Sequence, residues 1–281
     1  NAMVLAAKLV GVKKFVYVVN NTPEGYEFFL RWLDYPIDFF IKKAVSKFVT
    51  GSKNSGNILK KVLNINDTKV ISIYNGINPR KAKMNREEFL AQYKIPNNNF
   101  IVSLIGNLEK RKGHIYLLKA LKILIKEKSE KTPIILIAIG KVNPEEKNIK
   151  KFIKDHSLEK YIFFLPYHIN IFDLYFTSDV IVLPSIGSED LPNVISEAMS
   201  MGKPVIGSNI AGIPEQIIHN KTGLIVEPRN VKMLYLAIKE MVFDKNKLNS
   251  FSKESIKRFE ANFKSEKSIE NYLRLYQLLN K

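Results

Sequence analysis

Residues 183–199 read LPSIGSEDLPNVISEAM and contain the structural unit on which most of the chain is built. The apolar run Val180–Leu183 predicts a buried strand, and the glycine and serine residues after it predict a loop. A segment with the helical spacing of apolar residues begins near Asn193. A buried strand, a short loop and a helix in this order are typical of an α/β protein.

The same order of elements recurs between about residues 100 and 243. Each apolar run there is followed by a segment with the spacing of an amphipathic helix, as in residues 115–126. Continuous apolar strands joined by such helices favour a parallel sheet covered on both faces. We therefore predict a complete doubly wound domain, with strands at residues 101–105, 134–139, 162–165, 180–183, 204–207 and 223–226.

The first part of the chain predicts a smaller sheet. Strands are expected at residues 15–19, 47–50 and 70–74, and helices at residues 26–44 and 55–63. Three parallel strands leave exposed edges and an uncovered face. We therefore expect this domain to be incomplete, with a piece missing at its front.

Residues 75–79 predict a turn, and the polar stretch that follows them to Lys83 predicts a hinge between two domains. The expected domains are a partial one over residues 1–79 and a complete one over residues 80–261. Residues 262–281 are expected to form a C-terminal helix.

The composition excludes several classes of protein. Hydrophobic residues make up 46% and charged residues 25% of 281 residues, which excludes a largely disordered chain. Because there is no cysteine, disulfides, cysteine-ligated zinc, iron–sulfur clusters and thiol catalysis are excluded. The 4 histidines lack the spacing of a metal site, so we assign none. The apolar runs are shorter than the roughly 18 residues that a membrane span needs.

The charge balance is strongly basic, with 44 Lys and Arg residues against 27 Asp and Glu residues and a net charge of +17. One interpretation is a preference for anionic partners, such as phosphorylated ligands, anionic lipid head groups or nucleic acid. The other is compositional drift of the genome, because the chain is rich in Lys, Ile and Asn together.

Two carboxylates in the quoted stretch are candidates for ligand binding. Glu189 lies on the loop and Glu197 lies one turn inside the following helix. Ligands of open α/β sheets bind outside the carboxyl ends of the strands, and a helix N-terminus suits a phosphate. The two carboxylates can therefore accept hydrogen bonds from sugar hydroxyls on either side of a bound diphosphate. The alternative is a solvated loop residue and a helix acid favoured by the helix dipole.

A second loop of the same kind covers residues 106–113 and reads GNLEKRKG. Gly106 allows close approach of a ligand to the backbone, and three consecutive cations, Lys110 to Lys112, lie where a diphosphate would bind. A solvated basic turn is the alternative interpretation.

Together these segments resemble the retaining glycosyltransferases of the GT-B fold, in the group 1 (family 4) class, from about Leu5 to the C-terminus. The most specific likeness is Glu189 and Glu197 in the pattern E-x7-E, within Pro-Ser…Pro-Asn-Val…Glu-Ala-Met…Gly-Lys-Pro-Val. Residues 75–78 resemble the Asn-Gly segment that leads into the second domain, and residues 106–113 resemble the diphosphate loop. The resemblance implies a GT-B-like α/β fold of two Rossmann-like, doubly wound parallel-sheet domains, the first of them incomplete.

The resemblance implies a role for each candidate residue. Glu189 is implied to be the catalytic residue that contacts hydroxyls of the donor hexose, and Glu197 to hold the ribose hydroxyls. Lys112 is implied to neutralise the diphosphate. The further donor-binding positions are Gly106, Asn107 and Arg111 and the backbone N–H groups near Leu191, Asn193 and Val194. No metal or cofactor is implied, since cations and helix dipoles stabilise the leaving nucleoside diphosphate.

The resemblance also implies retention at the anomeric carbon, acceptor binding mainly on the first domain, and a last helix that crosses back to that domain. The chain departs from the family at two positions. Asn107 replaces an arginine, so Arg111 or Lys110 would supply the charge, and Asn20 replaces a histidine that an amide cannot match as a base. His168 is a candidate neighbour of the nucleotide base. Trp32 and the aromatic residues around it are expected to pack the first domain or to face an acceptor or a membrane.

The expected function is transfer of a hexose-type sugar from a UDP- or GDP-type donor to a glycan or lipid-linked acceptor, in surface polysaccharide or glycolipid synthesis. A cytoplasmic enzyme with peripheral contact to the anionic inner face of the membrane fits this function. The alternative is a non-catalytic relative that binds a nucleotide sugar. Nucleic-acid binding is not expected, because no motif for it accompanies the charge.

Overall fold

The computed structural model describes residues 8, 10–19, 42–127, 131–139, 145–166, 169–187 and 189–280. Its first sheet has three parallel strands in the order β1 (Val16–Val19), β2 (Lys47–Thr50) and β3 (Val70–Ser72). Helix α1 (Lys53–Leu63) follows β2 and starts two residues earlier than predicted, because Ser52 caps it by accepting a hydrogen bond from the Ser55 N–H. The helix predicted at residues 26–44 lies mostly outside the described residues.

The second sheet has six parallel strands in the order β6-β5-β4-β7-β8-β9, so the predicted α/β class is confirmed. The order of the strands reverses between β4 and β7, which pair through Val102 with Val180 and Ser103 with Ile181. The strand bounds are β4 (Ile101–Gly106), β5 (Ile134–Ile139), β6 (Ile162–Leu165), β7 (Val180–Leu183), β8 (Val205–Ser208) and β9 (Gly223–Val226).

Successive side chains of a strand point to opposite faces of the sheet, so continuous apolar strands make both faces apolar. Helices cover both of these faces. In β4, Val102 and Leu104 belong to one buried cluster, whereas Ile101 and Ile105 belong to the other. No helix in the described ranges is both long and apolar enough to cross a membrane. The helices are α2 (Arg86–Gln92), α3 (His114–Lys126), α4 (Glu145–Asp155), α5 (Ile171–Thr177), α6 (Asn193–Ser200), α7 (Ile213–Gln216), α8 (Val231–Phe243), α9 (Lys245–Asn262) and α10 (Ser265–Asn280).

Two segments connect the first sheet with the second, and they lie side by side. The Ile77 N–H donates to the Phe263 carbonyl oxygen at 2.9 Å, and the Ser265 N–H donates to the Ile77 carbonyl oxygen at 3.1 Å. A Cβ at Gly76 would lie 2.6 Å from the Ser265 Cα, so only glycine allows this approach. Strand β3 ends two residues earlier than predicted, where Tyr74 turns to pack its ring on Phe263, with 5.5 Å between ring centroids.

Helix α10 packs against the first sheet. Its residues Tyr272, Leu275 and Leu279 join Val49 and Ile73 in one apolar cluster. The expectation of an uncovered face is therefore wrong at the centre of the sheet, because α10 supplies the apolar side chains that cover it. The edge strand β1 stays partly uncovered, since the side chain of Val18 is 45% exposed.

Candidate active site

The candidate site lies at the carboxyl ends of β4 and β7, where the order of the strands reverses. Neighbouring parallel strands whose connections leave in opposite directions open a crevice, and such crevices bind ligands. The loop after β4 covers residues 107–113, called here the basic loop, and the loop after β7 covers residues 184–192, called here the acidic loop. The two candidate segments from the sequence therefore meet at one place.

The two loops are in direct contact. The Ile186 N–H donates to the Arg111 carbonyl oxygen at 2.7 Å. Gly113 has a φ of +73°, and a Cβ there would lie 1.9 Å from the Pro184 carbonyl oxygen. Only glycine satisfies both the backbone conformation and the close approach, so Gly113 fixes how the basic loop lies against the acidic loop.

Glu189 is the centre of the contacts between the loops. Its side chain is only 6% exposed. The Oε1 atom accepts hydrogen bonds from Lys112 Nζ at 2.6 Å and from Ser185 Oγ at 2.8 Å, and Arg111 Nη1 lies 3.4 Å away. Two cations and a hydroxyl offset the cost of burying this carboxylate. The stem of Lys112 follows the backbone of Gly106, since a Cβ there would lie 3.7 Å from Lys112 Cε.

The basic loop carries a second carboxylate that sequence reasoning missed. Glu109 accepts from Asn107 Nδ2 at 3.1 Å and from Arg111 Nε. The Asn107 hydrogen bond, helped by Arg111, lowers the pKa of the Glu109 carboxyl. Arg111 thus links the two carboxylates, and Asn107 is connected to Glu189 through Glu109 and Arg111. Lys110 is exposed to solvent.

Glu197 occupies the first turns of α6, apart from these contacts. Its Oε2 atom accepts a hydrogen bond from the Tyr175 hydroxyl at 2.6 Å. Tyr175 lies on α5 and is completely buried. Burial, reinforced by the charge of Glu197, raises the pKa of the Tyr175 phenol well above its usual range. Tyr175 was missed because an aromatic residue among core residues carries no sign of a polar partner.

The N-terminus of α6 lacks a side-chain cap among the described residues. Pro192 precedes the helix and makes no capping hydrogen bond. The first backbone N–H groups of a helix have no partner within the helix, so those of Asn193 and Val194 suit an anionic ligand. Leu191 is buried among the apolar residues of the core.

His114 is the third residue near the site, after Glu109 and Tyr175, that the motifs did not reveal. It follows Gly113 and begins α3, its side chain is buried, and neither ring nitrogen has a hydrogen-bond partner among the described residues. Burial, with a smaller effect of the nearby Lys112 charge, lowers the pKa of His114 to about 4. The imidazole is therefore neutral at physiological pH.

In the described part of the chain, no three His, Asp or Glu side chains are close enough to hold a metal ion. Several candidates from the sequence lie outside the described residues: Asn20, His168, and Trp32 with the aromatic residues around it.

Comparison with known proteins identifies similar sequences. The profile of a family described as "Glycosyl transferases group 1" matches residues 85–258. Spore coat protein SA of Bacillus subtilis is 28% identical over 83% of this chain and 65% of its own length. The capsular polysaccharide biosynthesis glycosyltransferase CapM of Staphylococcus aureus is 24% identical over 89% of this chain and 67% of its own.

A third similar protein is the UDP-Gal:alpha-D-GlcNAc-diphosphoundecaprenol alpha-1,3-galactosyltransferase of Escherichia coli, which is 24% identical over 97% of this chain and 71% of its own length. This chain therefore spans 65% to 71% of the length of these three relatives.

Solved structures share the fold. Anabaena HepE in complex with UDP superposes with a TM-score of 0.88 at 19% identity, over 98% of this chain and 75% of that one. A glycosyltransferase from Rickettsia africae superposes with a TM-score of 0.83 at 21% identity, over 100% of this chain and 80% of that one.

Proposed function

The chain belongs to the glycosyl transferases group 1 family of transferase enzymes and has the GT-B fold, and on this premise we propose that it transfers a sugar from a nucleoside-diphosphate donor. The sugar is a hexose-type residue, and the acceptor is a glycan or a lipid-linked glycan. The anomeric configuration is retained. The reaction belongs to surface polysaccharide or glycolipid synthesis, the kind of process that the names of several relatives describe.

The observation that carries this proposal is the pairing of Glu189 with Lys112 and Arg111 where the two sheet loops meet. It supplies positive charge and a fixed carboxylate in one crevice, next to the uncapped N-terminus of α6. A nucleotide sugar needs hydrogen-bond donors and positive charge for its diphosphate, and a hydrogen-bond acceptor for its sugar hydroxyls.

Each group has a proposed task in the transfer. The bond between the anomeric carbon and the diphosphate oxygen breaks, and the nucleoside diphosphate leaves with the electron pair. The acceptor hydroxyl oxygen forms the new bond to the anomeric carbon, and its proton passes to an oxygen of the departing diphosphate. Lys112, Arg111 and the N–H groups of Asn193 and Val194 stabilise the charge that grows on the leaving group. Glu189 orients the hexose, and Glu197 accepts hydrogen bonds from the ribose.

We propose that the remaining loop residues support the same donor. Gly106 keeps the backbone open to the diphosphate, and Asn107 contributes a neutral side chain where the family usually has an arginine. The donor needs neither a metal nor a cofactor, so transfer should be unaffected by a chelator. Two kinds of donor are compatible with the relatives, because HepE is solved with UDP and a similar mycobacterial mannosyltransferase is named as GDP-mannose-dependent.

A thermal-shift panel with UDP, GDP, ADP and their sugar conjugates tests the donor site. A ligand at 100 times its Kd adds about 2.7 kcal/mol to the free energy of unfolding. We expect one nucleotide to stabilise the protein, and the stabilisation to be lost in Glu197→Ala and Lys112→Ala. Glu270→Ala, at an exposed ion pair on α10, is the matched control and should keep it. If no nucleotide stabilises a protein that melts cooperatively, the donor site is not functional.

We also propose a peripheral association with anionic membrane on the cytoplasmic side, since a net charge of +17 favours anionic lipid head groups. Vesicles with and without anionic lipid test this part. Binding should require the anionic lipid and weaken as salt is raised from 0.05 M to 0.5 M, because screening shortens the range of the attraction. Absence of binding at low salt would remove the membrane from the proposal.

The second candidate function is a non-catalytic protein that binds a nucleotide sugar. Asn107 favours it, because this position contributes no charge to the diphosphate site and contacts Glu109 instead. Donor binding without transfer to any acceptor and without hydrolysis would select this candidate. Product formation with retained configuration, measured by proton NMR of the anomeric signal, would select the enzyme.

A further inference from the structure

The N-terminus of helix α1, in the first domain, is held by two carboxylates from the second. Asp190 Oδ1 accepts hydrogen bonds from Ser52 Oγ at 2.5 Å and from Ser55 Oγ at 2.6 Å. Glu215 accepts from the Lys53 N–H at 2.8 Å and from the Asn54 N–H at 2.7 Å. These contacts join residues that are 135 to 162 positions apart in the chain.

Elementary electrostatics favours this arrangement. The first N–H groups of a helix lack partners within the helix, and the helix dipole places partial positive charge there. Glu215 satisfies two of these N–H groups, and Ser52 satisfies that of Ser55. Ser52 and Ser55 are fully buried, so their hydroxyls need an acceptor, which Asp190 provides.

Asp190 is also fixed from the side of the second domain. The Gly212 N–H donates to the Asp190 carbonyl oxygen at 3.0 Å. A Cβ at Gly212 would lie 2.1 Å from that oxygen and 2.9 Å from the Ser52 Cβ, so three segments converge without room for a side chain. The backbone of Asp190 is thus held by the second domain and its side chain by the first.

Glu215 is anchored in a similar way. Arg258 Nε donates to the carbonyl oxygen of the next residue, Gln216, at 2.6 Å, which ties this turn to α9. Tyr74, in the segment that joins the domains, lies next to Glu215, and burial together with the Glu215 charge raises the pKa of Tyr74 to about 12.

We propose that Asp190 and Glu215 form a carboxylate clamp that holds the first domain against the donor site, and that Asp190 is a positioning residue for Glu189. Asp190 directly follows Glu189 in the acidic loop, so contacts that fix the position of Asp190 also restrict the position of Glu189. When the clamp is closed, the loop bearing Glu189 and the first domain have one relative position. When it opens, Glu189 keeps its cations but loses its alignment with an acceptor on the first domain.

This inference rests on the proposed function for its catalytic consequence, since transfer needs donor and acceptor groups aligned in one crevice. The clamp itself does not depend on that function, and it is measurable without any substrate. Two kinds of measurement therefore test it separately.

Hydrogen exchange on the full chain tests the contact. Peptides that cover residues 51–58 report the N–H groups of Lys53 and Asn54. We expect Glu215→Ala to speed their exchange on the order of tenfold, because their acceptor is lost. Asp67→Ala removes an exposed carboxylate that pairs with Lys60 in the last turn of α1, so it is the control and should leave the N–H groups of the first turn unchanged. Equal exchange in wild type and Glu215→Ala would overturn the clamp.

Kinetics test the positioning. For Asp190→Ala, we expect kcat to fall on the order of tenfold while the Kd for the nucleoside diphosphate stays within about twofold, since the donor cations are untouched. Asp190→Asn keeps an acceptor oxygen and should recover most of the rate, and Ser55→Ala should reproduce part of the loss. An unchanged kcat in a folded Asp190→Ala protein would overturn the positioning role.

The two arms separate the failure of the inference from the failure of the proposed function. If no acceptor is ever glycosylated, the proposed function fails, and the exchange of the α1 N–H groups still decides whether the clamp exists. Should Asp190→Ala fail to fold, Asp190→Asn and Ser55→Ala provide the same comparison with smaller changes.

Discussion

Replacing Glu189 by glutamine should tighten the binding of a bare nucleoside diphosphate and abolish sugar transfer. The Glu189 carboxylate accepts a hydrogen bond from Lys112 Nζ at 2.6 Å, and Arg111 Nη1 lies 3.4 Å away. A diphosphate that binds at the basic loop competes with Glu189 for these cations. Glutamine keeps the size and an acceptor oxygen but removes the competing charge, so the cations become more available to the ligand.

The size of the effect follows from the burial of the pair. The side chains of Lys112 and Glu189 are 12% and 6% exposed, so water screens their interaction weakly. A hydrogen bond to a charged group contributes roughly 1.5–3 kcal/mol, and a neutral one about 1 kcal/mol. The difference, on the order of 1 kcal/mol, corresponds to a Kd about fivefold lower for the nucleoside diphosphate. Lys112→Ala should have the opposite sign and raise the Kd about tenfold or more.

Isothermal titration calorimetry with the nucleotide that stabilises the wild type measures these constants. Glu270→Gln, which removes a carboxylate from an exposed surface pair, should leave the Kd unchanged. The reasoning is refuted if Glu189→Gln weakens binding as much as Lys112→Ala does. In that case Glu189 would hold Lys112 in place for the diphosphate instead of competing for it.

Three further predictions follow from buried titratable groups. Tyr175→Phe removes the hydroxyl that donates to Glu197 but keeps the ring, so it should lower the free energy of unfolding by about 1–2 kcal/mol. In calorimetry, the same substitution should weaken the binding of UDP more than the binding of 2′-deoxy-UDP. His114 has a pKa lowered from 6.5 to about 4 by burial, so its contribution to stability is present above pH 6.5 and is lost as the pH falls towards 4. When the pH falls from 7 to 4, the free energy of unfolding measured in urea should therefore decrease less in His114→Leu than in the wild type, by on the order of 3 kcal/mol. Burial raises the pKa of Tyr74 from 10.0 to about 12, so the contribution of Tyr74 to stability is present below pH 10 and is lost as the pH rises to 12. The midpoint of urea unfolding should therefore fall less steeply at alkaline pH in Tyr74→Phe than in the wild type.

The six strands of the second sheet could be predicted to within one residue at each end, because both faces of these strands are buried. A continuous apolar run such as Ile134–Ile139 indicates a strand that is buried on both faces. The helical segments between such strands indicate crossover connections and therefore a parallel sheet. The first sheet was predicted with its strands from the apolar runs, whereas its covering helix was implied only by the resemblance to the family. Helix α10 lies about 190 residues after β3 along the chain, and the pattern of a half-buried helix does not say which sheet it packs on.

The site could be predicted as a set of residues but not as a set of contacts. Glu189 and Lys112 are 77 positions apart, and their contact depends on β7 pairing with β4, which the order of strands along the chain does not give. Tyr175 was invisible for a different reason. Its neighbours on α5 are core residues, and its hydroxyl acquires a partner only because α5 packs beside α6.

The carboxylate that contacts the cations, Glu189, and the carboxylate of the clamp, Asp190, are consecutive residues of the acidic loop. Glu189 turns towards Lys112 and Ser185, whereas Asp190 turns towards Ser52 and Ser55. Their charges are thus satisfied by different partners and do not compete for one cation. With a longer spacing between the two carboxylates, the position of Asp190 would no longer limit that of Glu189. Because the adjacent residues contact opposite domains, the proposed function makes the alignment of Glu189 with an acceptor on the first domain depend on a closed clamp.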